Sequence, residues 1–200
     1  AGGAPTRAGP DLGVGGGRTL ERGAVAQLLA GTAAVGHLAP RPSVPRSLLD
    51  TVASHDVNAT GTLYVVEAAR EVDAHVVVAS SSSVYGNAER YPSAEDDPLA
   101  PISPYAMSKH ATEEIAKVYH RTRDVPVIGL RFFTVYGPRQ RPDMAFARFF
   151  DAALGDAPLP VLGDGLRGVS VSGVRPLGRG PGPVGVFSSG VCSVNAISDP

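Results

Sequence analysis

Cysteine is nearly absent. The single Cys192 in 200 residues rules out an internal disulfide and fits a reducing, cytoplasmic setting. Long apolar runs are missing too. No stretch approaches the roughly 18 consecutive apolar residues of a membrane span, and the opening AGGAPTRAGP has no apolar h-region, which argues against a secretory signal. Neither sign of charge dominates. Eighteen Lys and Arg stand against 19 Asp and Glu, so nothing draws the chain broadly to nucleic acid or to an anionic membrane. The five histidines show no metal-ligand spacing and Cys192 has no second thiol, so a zinc site is not expected. There is no G-x-S-x-G, which removes support for a serine hydrolase.

Glycine is scarce where it matters. Of 24 glycines only Gly61, Gly86, Gly129, Gly137 and Gly155 lie between His37 and Leu162; the rest crowd the two ends. Residues 166–200 contain no Lys and no Glu, and Phe187 is their only aromatic, so this tail has little to bury and is expected to be disordered. The middle, in a chain that is 43% hydrophobic and 18% charged, has the makings of one packed domain. Residues 19–30 have helical spacing, 32–39 read as a short buried strand, and 57–70 as a helix. Residues 75–79 (HVVVA) are a β-branched, continuously apolar strand of the kind buried on both faces of a parallel sheet. Residues 92–104 form a loop rich in proline and acid. A helix starts at Ser103-Pro104, with serine as N-cap and proline at the first helical position, and runs to about Arg121. Residues 126–133 are the next strand, 142–154 a helix, and 159–162 one more short strand. Strands alternating with helices give an α/β fold with a parallel, doubly wound, Rossmann-like sheet. Ligands of such sheets sit beyond the carboxyl ends of the strands.

One such strand ends in VVVASSSSVYGN at 76–87. Four serines in a row are common in flexible linkers, but a linker is not expected inside a strand–helix–strand series. Downstream, SPYAMSKH sets Tyr105 and Lys109 four residues apart, on one face of a helix. A lysine ammonium beside a phenol favours the phenolate, which can act as a base. A serine holding a substrate hydroxyl while the phenolate removes its proton would turn that alcohol into a ketone, given a hydride acceptor. Alone, the Tyr–Lys pair reads by default as a solvated helix face.

Five ordered segments carry a more specific signal: HLA at 37–39, DVNATGTLYVVEAAR at 56–70, VVVASSSSVYG at 76–86, PISPYAMSKHATEE at 101–114 and LRFFTVYGPRQRPDMAF at 130–146, with PVLGDG following at 160–165. From His37 to Gly165 the chain resembles the extended short-chain dehydrogenase/reductases, in particular the NAD-dependent nucleotide-sugar epimerases and dehydratases. The resemblance implies NAD as cofactor and a UDP-sugar or other nucleotide sugar as substrate, and a homodimer as the assembly. Tyr105 falls on the family's base, Lys109 on its partner and Ser81 on its catalytic Ser/Thr. Leu38, Ala39, Asn58, Ser80 and Phe132 fall on positions that meet the cofactor, with Asn58 holding the active-site water or the backbone geometry. Asp11 and Leu12 correspond to an adenine-contacting pair. Ser82, Ser83, Phe133, Thr134, Met144, Ala145 and Phe146 fall on the nucleotide-sugar side. The family's sugar 4,6-dehydratases carry an Asp-Glu pair where this chain has Ser82 and Ser83, which favours an epimerase like those acting on UDP-glucose or UDP-glucuronate.

Three departures qualify the resemblance. The family's G-x-x-G-x-x-G fingerprint should follow a first strand, yet only 36 residues precede His37, and GVGGGR at 13–18 follows no strand pattern. The first βαβ unit is therefore expected to be missing. Pro40 follows HLA in a loop that must approach the cofactor closely. After GDG at 163–165 the composition changes abruptly, which reads as a shift of reading frame near 166. The expected layout is a poorly matching segment 1–31, a partial Rossmann-like domain 32–165 and the tail 166–200. Three readings stay open: a nucleotide-sugar epimerase, an inactive fragment or binding module that cannot hold NAD, and a dehydratase or reductase of the same family.

Overall fold

The computed structural model describes residues 17–88, 92–137 and 140–161, together with the backbone of three strands, 171–176, 185–188 and 193–196. The elements run α1 (Arg22–Leu29), β1 (Ala34–His37), α2 (Val44–Leu49), α3 (Thr51–His55), α4 (Gly61–Glu71), β2 (His75–Ser81), α5 (Pro104–Arg123), β3 (Val127–Phe132), β4 (Thr134–Tyr136), α6 (Ala145–Leu154), β5 (Val171–Pro176), β6 (Gly185–Ser188) and β7 (Ser193–Ala196). Strands β1, β2 and β3 pair in parallel, and β7 closes the sheet antiparallel to β3, in the order β1-β2-β3-β7. A second sheet has the order β4-β5-β6.

The α/β reading holds, and the crossovers β1–α4–β2 and β2–α5–β3 are its backbone. The main core lies between helices and strands: Val25 of α1, Val65, Val66 and Ala69 of α4, Val76 and Val78 of β2, Ala116 of α5 and Val127 of β3. β2, expected to be buried on both faces, is buried at Val76 and from Val78 to Ser81, half-buried at Val77 and exposed at His75, whereas burial along β3 alternates. Ile128 is 40% exposed between buried Val127 and Gly129. The helices α4 and α5 touch each other and both pack on the side of Val76, Val78 and Val127, which accounts for the alternation.

Three other segments differ from expectation. Helices α2 and α3 occupy a stretch with no strong apolar period. Caps rather than periodicity start them: the Ser43 side chain accepts from the Arg46 N–H, and the Asp50 side chain from the Ala53 N–H. Leu159–Val161 form no strand; Leu159 and Val161 lie more than half exposed with nothing to pair with among the described residues. The end of the chain, expected to be disordered, contributes the backbones of β5, β6 and β7.

Between α3 and α4 the chain widens into one π turn at Asp56–Thr60 without breaking the helix. Such bulges free backbone carbonyls for other partners. Here the Asn58 carbonyl accepts from the Thr62 hydroxyl and from the Thr112 hydroxyl of α5, locking the two helices together.

Beyond β2 the serines continue into a single 3-10 turn, Ser82–Tyr85, which ends at Gly86 with φ +62°. A Cβ there would sit 1.9 Å from the carbonyl oxygen of Ala100. Both the backbone angle and the space require glycine. Gly86→Ala is therefore expected to destabilise the chain by at least about 2 kcal/mol, because strain and a backbone clash add. Chemical denaturation of the two proteins measures this; an unchanged midpoint would contradict it.

Candidate active site

The carboxyl ends of β2 and β3 open into a cavity of about 650 Å³. The linker reading of the four serines ends here, because Ser80, Ser81, Ser82 and Ser83 all line it. Tyr105 and Lys109 line it from α5, as expected from their spacing. The register pairs Ser81 with Phe132 across β2 and β3, and Phe132, Phe133 and Thr134 supply another wall. Leu38 reaches in from the end of β1, and Met144 from the residue that caps α6.

Four expected residues stand off the lining. Ala39 is exposed while its neighbours Leu38 and Pro40 face the cavity. Asn58 is fully buried and spends its side chain on the protein. It accepts from the Arg41 N–H at 2.7 Å and donates to the Ser108 hydroxyl at 2.9 Å. It thus braces the loop after β1 against α5. Ala145 is exposed, and Phe146 packs its ring against Tyr136, which itself lines the cavity. Asp11 and Leu12, and most of the glycine cluster 13–18, lie outside the described residues.

Several lining residues carry no role in the sequence reading: Pro42, Ser43, Tyr136, Gln140 and Arg141. Arg141 is the consequential one. It grips Asp143 through two nitrogens at 2.9 and 3.0 Å and favours ionisation of Tyr105 through its charge. Its only signal in the sequence was a cation three residues before Met144, in a loop without periodicity.

The helix bearing Tyr105 and Lys109 is fixed at its start. Ser103 caps it by accepting from the Ala106 N–H, and the Tyr105 N–H donates to Ser47 of α2 at 3.0 Å. The Ser81 hydroxyl accepts from the Ser83 N–H, which holds the serine wall in shape. Burial raises the Tyr105 pKa, and the neighbouring Ser81 hydroxyl and the Arg141 charge oppose that rise. The Lys109 ammonium donates to the Ala79 carbonyl at 2.5 Å, at the floor of the cavity. Lys109 is only 3% exposed, and burial brings its pKa down to about 8, against an upward pull from Glu113.

The site is thus a hydroxyl, a phenol and an ammonium gathered at the ends of parallel strands, in a cavity with apolar walls. The chain belongs to the NAD dependent epimerase/dehydratase family, whose profile matches residues 5–168. That match takes in the glycine-rich stretch 5–31 and stops close to the composition change near 166. The chain is 43% identical over 145 residues to a Bacillus subtilis protein named as an uncharacterized UDP-glucose epimerase, YtcB; the match covers 70% of this chain and 45% of that one. Its fold matches the Bacillus cereus UDP-glucuronic acid 4-epimerase in complex with UDP-glucuronic acid and NAD, with TM-score 0.70 and 37% identity, over 74% of this chain and 48% of that one. It also matches DesIV, a dTDP-glucose 4,6-dehydratase of Streptomyces venezuelae with NAD bound, with TM-score 0.73 and 32% identity, over 78% and 49%. The chain spans about half the length of the relatives it matches.

One titration belongs to the rim of this site. His37 ends β1, is 8% exposed, and has its Nε2 3.1 Å from the Thr62 hydroxyl oxygen. That hydroxyl already donates to the Asn58 carbonyl, so the neutral ring donates from Nε2. Burial, with the Lys109 charge behind it, lowers the His37 pKa to about 4. A histidine depressed in the folded state contributes stability that is present above its unfolded value near 6.5 and lost as pH falls through 4. The loss amounts to about 3 kcal/mol at most. His37→Gln should flatten the stability curve between those values, which urea unfolding at a series of pH values reads directly; an unchanged slope would contradict it.

Proposed function

We propose that this chain carries the catalytic half of an NAD-dependent nucleotide-sugar 4-epimerase, of the kind that acts on UDP-glucose or UDP-glucuronate. The observation that carries the reading is the convergence of Tyr105, Ser81 and Lys109 on one cavity whose wall continues as Ser82 and Ser83. The residues present fit the nicotinamide end of NAD: Lys109 and Ser80 offer polar contacts, while Leu38 and Phe132 offer apolar faces. NAD, when bound, supplies the acceptor for the hydride at sugar C4 and the means of returning it.

The chain's own residues do the rest. Ser81 holds the C4 oxygen. Tyr105, which lines the cavity with Ser81, takes the hydroxyl proton on oxidation and gives it back on reduction. Thr134 and the Ser82–Ser83 wall meet the sugar hydroxyls, and the cavity is wide enough for the 4-keto sugar to turn over between the two steps. Arg141 offers a cation toward the anionic part of a nucleotide sugar. Elimination of water, as in a 4,6-dehydratase, needs a further acid and base; Ser82 and Ser83 are neither, which supports epimerisation over dehydration. The second reading, a pocket that cannot hold NAD, draws on the chain's spanning about half of its relatives. Expected assembly through the Tyr–Lys helix and a cytoplasmic location belong with the proposal. No described helix is long and apolar enough to cross a membrane.

Calorimetric titration with NAD separates the two readings. Binding supports the enzyme, and no binding leaves only the fold and the family. In a chain that interconverts UDP-glucose and UDP-galactose, or the corresponding uronates, Tyr105→Phe should lower turnover at least about 100-fold, the usual contribution of a positioned base. NAD affinity should change far less. Full turnover in that variant would remove Tyr105 from the chemistry.

A further inference from the structure

Helix α5 is fastened in its body and has to be fastened again at its start. Beyond Lys109 the Glu113 carboxylate grips the Arg131 guanidinium of β3 through two bonds of 2.9 Å, both side chains being buried. That pair holds the helix against the sheet. It does nothing for the first turn, whose N–H groups have no carbonyl one turn back to bond. Tyr105 sits in that turn, just after Ser103 and Pro104. Its N–H would be an orphan, and it is met from 58 residues away by the Ser47 hydroxyl of α2 at 3.0 Å. Ser47 is fully buried, and its own proton goes to the Val44 carbonyl at 2.7 Å. Its oxygen is therefore left to face Tyr105 as an acceptor.

The Tyr105 carbonyl leads back to the same part of the chain. It accepts from the Ser108 hydroxyl at 2.8 Å, and Ser108 accepts from the Asn58 side-chain nitrogen at 2.9 Å. Asn58 in turn takes the Arg41 N–H on its oxygen at 2.7 Å. Both backbone polar groups of Tyr105 thus connect to one strap, residues 41–47. Between the two anchors lies Ser43, whose φ of +103° is one that side chains rarely adopt. Such strain persists only where the surroundings impose it. Pro42 and Ser43 of this strap, with Pro40 just before it, line the cavity. The strap that walls the cavity and the backbone of Tyr105 are one bonded unit.

We propose that Ser47 is a positioning residue of the site: by taking the Tyr105 N–H it ties the start of α5 to the strap and sets where the phenol stands in the cavity. The phenol is carried at the end of a long side chain on a helix terminus, so a small tilt of that turn displaces it. A misplacement of about 1 Å can cost a reaction on the order of 100-fold. The inference rests on the reading of Tyr105 as the base, but its first test does not.

The chain has six tyrosines, and Tyr105 and Tyr119 share α5. Tyrosine labelled with 15N on the amide and 13C in the ring gives signals for both in the full chain. In Ser47→Ala the Tyr105 amide should exchange with solvent about tenfold faster than in the parent, the scale of one lost hydrogen bond. Tyr119, in the body of the helix, should change no more than global stability requires. The Tyr105 ring signal should shift as well, because the phenol leaves its place. Ser47→Cys, with a weaker acceptor in nearly the same space, should fall between. Ser103→Ala is the control. It removes the other cap of the same turn, the bond from the Ala106 N–H at 3.1 Å, and should disturb Tyr105 less than Ser47→Ala does. Equal acceleration at Tyr105 and Tyr119 in folded Ser47→Ala, or an unmoved Tyr105 ring signal, would overturn the proposal. Where the chain turns over, Ser47→Ala should lower kcat about tenfold, with KM for the nucleotide sugar within about twofold because the Asn58 anchor keeps the strap in place. Equal losses of kcat in Ser47→Ala and Ser103→Ala, or a rise in KM at unchanged kcat, would count against a role through Tyr105. A selective change at Tyr105 in a chain that binds no NAD would leave this inference standing and remove the enzyme reading.

Discussion

Glu113 and Arg131 are each less than a tenth exposed, and neither charge could stay buried without the other. Removing one partner of such a pair typically costs about 3–5 kcal/mol, because the survivor is left uncompensated, even though an apolar replacement of both can be neutral. The pair is therefore better understood as a constraint on geometry than as a source of stability. Burial alone would depress the Arg131 pKa; the bonds to Glu113 and Tyr85 raise it instead, so the guanidinium stays charged and keeps its planar fork. Helix α5 can then dock at only one height against β2 and β3, and the stripe of Tyr105 and Lys109 comes with it. The same guanidinium reaches Tyr85 and the Glu95 carbonyl, so the serine wall and the loop that returns to α5 are drawn to the same point.

Other devices serve the same end from different sides. Ser47 and Ser103 fix the first turn of α5, while the π turn at Asp56–Thr60 presents the Asn58 carbonyl to Thr112 of that helix. Gly86 lets the serine turn fold back on Ala100. The cavity is thus assembled from segments far apart in sequence, each held by hydrogen bonds to backbone rather than by apolar contact alone. Its reactive groups carry the mark of that burial. Tyr105 is harder to ionise than a free tyrosine and Lys109 easier to neutralise than a free lysine, the pattern expected where ionisable groups are gathered for proton transfer.

The parts of this arrangement with strong local rules were legible in the sequence. Ser103-Pro104 announced the start of α5, the valines announced β2, and the four-residue spacing put Tyr105 and Lys109 on one face. The ordered segments from HLA to PVLGDG were enough to indicate the family. What depends on tertiary contact was not legible. Helices α2 and α3 are started by caps, not by an apolar period. Arg131 and Glu113 read as ordinary charges because nothing local says they meet, and Arg141 lies in a loop whose path only the fold sets. The bond of the Lys109 ammonium to the Ala79 carbonyl depends on which acceptor lies within reach at the end of β2. Asn58 was half legible. Its place in the motif was recognisable, but its partners Arg41 and Ser108 were not.

The central claim is that Tyr105 and its neighbours support oxidation and reduction at one sugar carbon without releasing the sugar. It is tested most directly by giving the chain NAD and a nucleotide sugar that carries deuterium on C4, then examining the product by NMR. An inverted C4 that retains its deuterium is the expected result, since the label would leave the carbon and return to it within one cavity. An inverted product whose deuterium has been lost to solvent, or no inverted product at all, would contradict the claim.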